Sequence, residues 1–126
     1  MRMGVTGVGR IGVMHARNIT ATPGVSELVL HDPVPGRAAE VAAQLTGGVV
    51  VRAVDTLAEL LGCVDGVLVA TPTPTHAEVV HAAVDAGVPV LVEKPLAGDP
   101  ATIREVIEHV ERSDVQVLVG FQRRFD

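Results

Sequence analysis

One glycine run, Gly7-Val8-Gly9-Arg10-Ile11-Gly12, restricts the possible folds of this chain more than any other feature. The run follows a short apolar segment, Met1 to Thr6, and opens a stretch with helical character. In a strand-to-helix turn, Gly7 allows the tight turn, Gly9 lets a pyrophosphate approach the backbone, and Gly12 lets the helix lie close to the strand. The free N–H groups at the start of such a helix attract phosphate. The run therefore predicts a dinucleotide-binding turn, with a purely structural glycine turn as the alternative.

An acidic residue lies at the distance from this run that a dinucleotide site requires. Asp32 follows Gly12 by 20 residues, at the end of a second apolar run, Ser26 to His31. A carboxylate there accepts hydrogen bonds from the adenosine ribose and repels a 2′-phosphate, so we expect NAD to be preferred and NADP to be less favoured. Arg37 could reduce that preference, and Asp32 could instead be a turn residue before Pro33.

Short apolar runs alternate with helical patterns along the chain. Such runs, when rich in valine, are typical of buried parallel strands that helices connect with right-handed crossovers. We therefore predict an α/β fold, a Rossmann doubly wound parallel sheet of about six strands with helices on both faces. The segment Thr75 to Glu78 predicts a capping box that starts one helix, with Thr75 as the N-cap. The predicted strands are Met3 to Thr6, Leu28 to Leu30, Val49 to Val51, Val64 to Ala70, Val88 to Val92 and Val115 to Val119.

The composition argues against several classes of function. The chain has 126 residues, is 48% hydrophobic and carries a formal net charge of −5, so it can bury the core of one domain and offers no basic surface for nucleic acid. Its single cysteine, Cys63, fits a reducing compartment, and we expect a cytoplasmic protein. We expect no membrane span, because no apolar stretch is long enough, and no metal site, because no group of potential ligands has a suitable spacing.

Chemically useful side chains follow the predicted strands. Ligands of doubly wound sheets bind beyond the carboxyl ends of the strands. The segment Thr71 to His76 follows the fourth run, Glu93-Lys94-Pro95 follows the fifth, and Gly120 to Asp126 follows the sixth. The predicted cofactor-binding residues are Gly7, Gly9, Arg10, Ile11, Gly12, Asp32, Thr71, Pro72, Thr73, His76, Glu93 and Lys94.

Lys94 is the predicted catalytic residue. It lies between Glu93 and Pro95, directly after a buried strand, where an ammonium group can donate to a substrate hydroxyl or help a proton to move. A solvated loop lysine is the alternative. His76 can contact cofactor or substrate, although a histidine in the first turn of a helix is more often exposed or hydrogen-bonded to its own protein. The role of His15, in the first helix, is left open.

Four segments match the motifs of a known family: Gly7 to Ile19, Ala70 to His76, Val92 to Leu96, and Gly120 to Asp126. In this order they resemble the Gfo/Idh/MocA oxidoreductases, of which the inositol 2-dehydrogenases and related sugar dehydrogenases are most similar. The resemblance implies an N-terminal NAD-binding domain and NAD(P)-linked hydride transfer to or from a hydroxyl carbon of a sugar or polyol. It also implies that Lys94 lies on the substrate and nicotinamide side, and that the Lys94–Pro95 bond is cis.

Members of that family carry a second α/β domain, which holds much of the sugar site and an Asp/His pair for acid–base chemistry. We therefore expect residues 1–120 to form the dinucleotide-binding domain, and residues 121–126 to begin the connection to a substrate domain. On that expectation the isolated chain binds cofactor and is catalytically incomplete. The alternative is a non-catalytic nucleotide-binding or assembly module. Apolar surface that a second domain would cover favours a homo-oligomer.

Overall fold

Strands and helices alternate along residues 1–120, the part of the chain that this computed structural model describes. One parallel sheet of six strands has the order β3-β2-β1-β4-β5-β6, and five helices connect the strands. The predicted Rossmann fold is therefore confirmed. The strands are β1 (Arg2–Thr6), β2 (Glu27–His31), β3 (Val50–Ala53), β4 (Gly66–Val69), β5 (Val90–Glu93) and β6 (Val117–Gly120). The helices are α1 (Arg10–Thr20), α2 (Arg37–Gln44), α3 (Leu57–Leu61), α4 (Thr73–Asp85) and α5 (Pro100–Glu111).

Two apolar layers enclose the sheet, one on each face. Neighbouring residues of one strand belong to opposite layers: Val29 belongs to the layer with α3, α4 and α5, whereas Leu28 and Leu30 belong to the layer with α1 and α2. In β4, Val69 and Leu68 divide in the same way. Burying one such side chain fully contributes about 1.5–3 kcal/mol. Because helices cover both faces, the inner strands are continuous apolar runs, and this is the pattern that the sequence contains.

The register of the sheet brings the carboxyl ends of neighbouring strands to one edge. Thr6, the last residue of β1, pairs with His31 of β2 and with Val69 of β4. Val69 in turn pairs with Val92 of β5. The strand order reverses between β1 and β4, so the turns after these two strands flank the switch point, where ligands of doubly wound sheets bind.

The start of α4 differs from the sequence prediction. The helix begins at Thr73, after Pro72 as the N-cap, so the predicted capping box at Thr75 is wrong. The Thr75 hydroxyl instead donates to the carbonyl oxygen of Pro72 at 2.7 Å. Pro74 lies in the first turn, where its fixed φ favours the helix and its lack of an N–H costs nothing, and this moves the helix start ahead of Thr75.

The proposed connection over residues 121–126, with the motif residues beyond Gly120, lies outside the described residues. Within residues 1–120, no helix is both long and apolar enough to cross a membrane.

Candidate functional site

Two glycines of the run after β1 are required by the turn itself. Gly7 has φ +89°, and a Cβ at this position would lie 2.5 Å from the backbone nitrogen of Thr71. A Cβ at Gly12 would lie 1.7 Å from the carbonyl oxygen of Gly7. Both contacts are with backbone atoms, which cannot move aside cheaply. The turn, the first coil of α1 and the loop after β4 therefore pack together as one unit, which we call the glycine cradle (Gly7, Gly12 and Thr71).

Gly9 has a different role in the same turn. It is the N-cap of α1, with φ −73°, and a Cβ at this position would meet nothing within 4 Å. The first helical hydrogen bond is donated by the Val13 N–H to the Gly9 carbonyl oxygen, so the N–H groups of the three residues between them have no intrahelical acceptor. The first turn of α1 contains no acidic side chain. Open space in front of free N–H groups and a positive helix end fits a pyrophosphate group.

Asp32, the first residue after β2, is hydrogen-bonded to this turn. Its side chain is only 4% exposed. One carboxylate oxygen accepts from the Val8 N–H at 2.9 Å, and the other accepts from the Val34 N–H at 2.8 Å. Arg37 Nη1 lies 3.7 Å from the second oxygen. A carboxylate offers about four acceptor positions, so Asp32 keeps capacity for ribose hydroxyls after both backbone bonds are made.

The end of β3 extends the site beyond the residues that the sequence indicated. A small cavity of about 40 Å³ beside Asp32 is lined also by Ala53, Val54 and Asp55. Because β3 pairs with β2, the residues after β3 lie next to those after β2. A count of residues after each predicted strand could have found them, since β3 was predicted.

A buried histidine, His31, links the ends of β1 and β2 next to the site. The Nδ1 atom of His31 lies 2.8 Å from the Thr6 hydroxyl oxygen. Burial lowers the pKa of His31 below 6.5, and the negative charges of Asp32 and Glu59 oppose that shift without cancelling it. The neutral ring therefore joins β1 to β2 directly beneath the glycine turn.

His76, in the first turn of α4, is directed inward. Its ring is 2% exposed, with Nε2 at 2.6 Å from the carbonyl oxygen of Thr71 and Nδ1 at 2.8 Å from the carbonyl oxygen of Pro95. Hydrogen bonding to its own protein, which the sequence allowed, is therefore present, and contact with cofactor or substrate stays a prediction. In sequence, Pro72 and Thr73 come between Thr71 and His76, and they are the N-cap and the first residue of α4.

The segment after β5 carries Lys94. The Lys94 side chain is exposed, and its ammonium group makes no hydrogen bond or ion pair with the described residues. The Lys94–Pro95 bond is cis, as the resemblance implies. Glu93 contacts Nε2 of His15 on α1, a pairing of residues 78 apart that the sequence did not indicate. Lys94 thus follows a residue that contacts α1, the helix after the glycine run.

The structure brings the predicted residues to one edge of the sheet in two groups. The glycine run and Asp32 are directly bonded or packed together, and Glu93, Lys94 and His76 lie beyond β4 and β5. Arg10 and Ile11 are the exposed first residues of α1. Among residues 1–120, no cluster of three potential ligands could hold a metal ion.

Comparison with known proteins gives a family match over nearly the whole chain. A model described as an oxidoreductase family with an NAD-binding Rossmann fold matches residues 1–121. The myo-inositol dehydrogenase Hyg17 of Streptomyces leeuwenhoekii is 42% identical over 126 residues, all of this chain and 38% of that protein. The scyllo-inositol 2-dehydrogenase (NAD(+)) of Bacillus subtilis is 37% identical over 128 residues, all of this chain and 37% of that protein.

Solved structures of two dehydrogenases superpose well. Scyllo-inositol dehydrogenase from Lactobacillus casei, solved with NAD(H) and scyllo-inositol, has a TM-score of 0.85 at 25% identity, over 100% of this chain and 37% of that one. UDP-N-acetylglucosamine 3-dehydrogenase from Acidithiobacillus ferrooxidans has a TM-score of 0.86 at 36% identity, over 99% of this chain and 39% of that one. This chain therefore spans less than two fifths of the length of these relatives.

Proposed function

This chain belongs to the Gfo/Idh/MocA oxidoreductase family of NAD-binding Rossmann domains, and from that premise we propose that it is the cofactor-binding part of a polyol or sugar dehydrogenase. The reaction is hydride transfer between NAD and a hydroxyl carbon. The observation that carries the proposal is the glycine cradle at the switch point, with Asp32 bonded to the Val8 N–H of the same turn.

The cofactor-binding half of the proposal rests on the β1 and β2 ends. The N–H groups that begin α1 bind the pyrophosphate, and Gly9 leaves the space for its approach. Asp32 accepts from the adenosine ribose hydroxyls. Since its carboxylate is already held by two backbone N–H groups, its direction is fixed before the cofactor binds, so little ordering is required at that moment.

The chemical half of the proposal rests on the β5 end. Three strand spacings separate β2 from β5, about 14 Å at about 4.8 Å each. That distance suits an extended dinucleotide with its adenosine at Asp32 and its nicotinamide near Lys94. When bound, the nicotinamide accepts or supplies the hydride. The Lys94 ammonium group donates a hydrogen bond to the substrate oxygen on the reacting carbon. Negative charge develops on that oxygen as the hydroxyl proton passes to a base, a role that the resemblance gives to the Asp/His pair of a second domain.

The proposed substrate is a polyol of the inositol type. Two of the relatives are named for myo-inositol and scyllo-inositol, and a third is named for a sugar nucleotide, so the shared chemistry is a secondary ring hydroxyl. Within residues 1–120, the exposed ammonium of Lys94 is the group that we assign to this hydroxyl.

A chimera tests the function directly. Residues 1–120 of this chain replace the aligned part of the Bacillus subtilis scyllo-inositol 2-dehydrogenase, and the chimera is assayed for NADH formation with scyllo-inositol and myo-inositol. We expect turnover with at least one of them, and loss of turnover in the same chimera with Lys94→Ala. A folded chimera that binds NADH and oxidises neither polyol would contradict the proposal and favour a non-catalytic binding module.

We further propose a cytoplasmic location, because a single cysteine fits a reducing compartment.

We also propose that the chain self-associates through one face of the sheet. Leu91 and Leu118 are paired neighbours on β5 and β6 and are 38% and 54% exposed. With Met1 and Met3 they line an apolar groove of about 300 Å³. A second copy of the chain would cover this face. Sedimentation over a concentration series tests this, and a monomer at every concentration would contradict it.

A further inference from the structure

A chain of backbone contacts joins the glycine cradle to Lys94, and one buried side chain completes it. The Thr71 nitrogen packs against Gly7, and the Thr71 carbonyl oxygen lies 2.6 Å from His76 Nε2. His76 Nδ1 lies 2.8 Å from the carbonyl oxygen of Pro95, the residue that follows Lys94. The two residues in contact with the ring are 24 positions apart in sequence, and no strand pairing joins the segments that contain them.

We propose that His76 is a positioning residue for Lys94. Its ring fixes the distance between the loop after β4 and the loop after β5, and thereby holds Lys94 relative to the glycine cradle. The inference rests on the proposed function, in which Lys94 meets the substrate beside the nicotinamide. His76 itself touches neither cofactor nor substrate in this role, because both of its nitrogens face carbonyl groups of the chain.

The chemistry of the contacts limits what each nitrogen can do. Carbonyl oxygens only accept, so each contact is a hydrogen bond only when the facing nitrogen carries a proton. A neutral imidazole donates from one nitrogen, and the doubly protonated ring donates from both. The ring is 2% exposed and its contact with the Thr71 carbonyl is buried, so water cannot replace that contact. An apolar residue of similar volume would fill the space and leave both carbonyl groups without this donor.

Lys94 is anchored on its other side as well. Glu93, the residue before it, contacts His15 on α1. Lys94 is exposed, so its place in the site depends on how the backbone on both sides is held. Since a displacement of about 1 Å of a catalytic group can reduce a rate about 100-fold, such anchoring has a direct effect on the chemistry.

Two conservative variants separate the two bonds of the ring. The amide nitrogen of asparagine can take the place of Nδ1, and that of glutamine can take the place of Nε2. We expect His76→Asn to keep the bond to Pro95 and His76→Gln to keep the bond to Thr71. If His76 positions Lys94, the first variant preserves the order of the Lys94 segment and the second does not. His81, on the same helix and in contact with His109, supplies the control variants His81→Asn and His81→Gln.

The main readout is the backbone order parameter of Lys94 and Leu96, measured by nuclear magnetic resonance in the isotope-labelled chain. We expect values near about 0.85 in the unmodified chain, in His76→Asn and in both control variants, and values below about 0.6 in His76→Gln. Equal order in the two His76 variants would overturn the proposal, because the ring would then act by packing alone. In the unmodified chain, a scalar coupling between His76 Nδ1 and the Pro95 carbonyl should also be present. Its absence overturns the proposal without any variant.

A second readout separates this inference from the proposed function. Lys94 is the only lysine in the sequence, so reductive methylation with a carbon-13 label gives one lysine signal. We expect saturating NADH to shift that signal in the unmodified chain and in His76→Asn, and to shift it less than half as far in His76→Gln. A chain that binds NADH without any shift at Lys94 would contradict the proposed function, whereas the order parameters would still decide the role of His76.

Discussion

Replacing Gly9 with valine should abolish dinucleotide binding while leaving the fold intact. In the structure a Cβ at Gly9 meets nothing within 4 Å, and its φ of −73° suits any residue. The branched side chain should therefore lower the free energy of unfolding by only about 1 kcal/mol, mainly because valine is a poorer N-cap residue than glycine. It occupies the space through which a pyrophosphate would reach the N–H groups at the start of α1.

The loss of affinity follows from the hydrogen bonds that valine blocks. Three N–H groups at the start of α1 have no intrahelical acceptor, and a hydrogen bond to a charged group contributes about 1.5–3 kcal/mol. Blocking two of them removes at least about 3 kcal/mol, which is more than a 100-fold loss at about 1.4 kcal/mol per tenfold change. Calorimetric titration with NADH measures the affinity, and urea unfolding measures the stability.

Two other glycines make the experiment decisive. Gly48→Val is the matched control, because Gly48 also has open space around its Cβ position and lies before β3, at the opposite edge of the sheet. We expect it to bind NADH normally. Gly7→Ala should instead destabilise the fold by at least about 2 kcal/mol, because its φ is +89° and the new Cβ would overlap the Thr71 backbone. A folded Gly9→Val chain that binds NADH within threefold of the unmodified chain would refute the assignment of the phosphate site.

Three further outcomes follow from the structure. Lys94→Ala should change the NADH affinity of the chain only a few-fold. In the chimera it should slow turnover by an amount that corresponds to a loss of about 2–4 kcal/mol of transition-state stabilisation, and unchanged turnover would mean that Lys94 is a solvated loop residue. Because burial lowers the pKa of His31, the unfolded chain binds a proton at this histidine at a higher pH than the folded chain does, so the free energy of unfolding should be highest above pH 6.5 and fall below it. Urea unfolding at several pH values should show a weaker pH dependence for His31→Gln, and identical pH profiles would contradict this. Leu60→Ala, at a fully buried position of α3, should cost about 2–5 kcal/mol by the same assay, and a cost below about 1 kcal/mol would show that the core closes over the gap.

The sequence predicted the fold because its signals are local. A glycine run after an apolar segment, and valine-rich runs at regular intervals, each report a structure that forms within about ten residues. The order of the strands then follows from the handedness of the connections, and the residues that end each strand arrive together. Asp32 was predicted for that reason, since its distance from Gly12 reflects one helix, α1, and the strand that follows it, β2.

The contacts that hold the site together were not predictable in the same way. His15 and Glu93 are 78 residues apart, and His76 and Pro95 are 19 apart, so neither pair leaves a spacing pattern. The position of His76 also depended on where α4 begins. That start was misplaced because Thr75 and Glu78 have the spacing of a capping box, while Pro72 and Pro74 set an earlier start that leaves Thr75 inside the helix.

The preference for NAD over NADP is the most direct test that Asp32 and the glycine cradle form one dinucleotide site. Calorimetric titration of the chain with NADH and NADPH measures it, with Asp32→Asn and Arg37→Ala as paired variants. We expect the unmodified chain to bind one NADH, at least about tenfold more tightly than NADPH. The ratio of the two affinities should be smaller in Asp32→Asn, where the negative charge is lost but the side-chain shape remains. It should be equal or larger in Arg37→Ala. NADPH binding as tight as NADH binding in the unmodified chain, or no binding of either, would contradict the assignment.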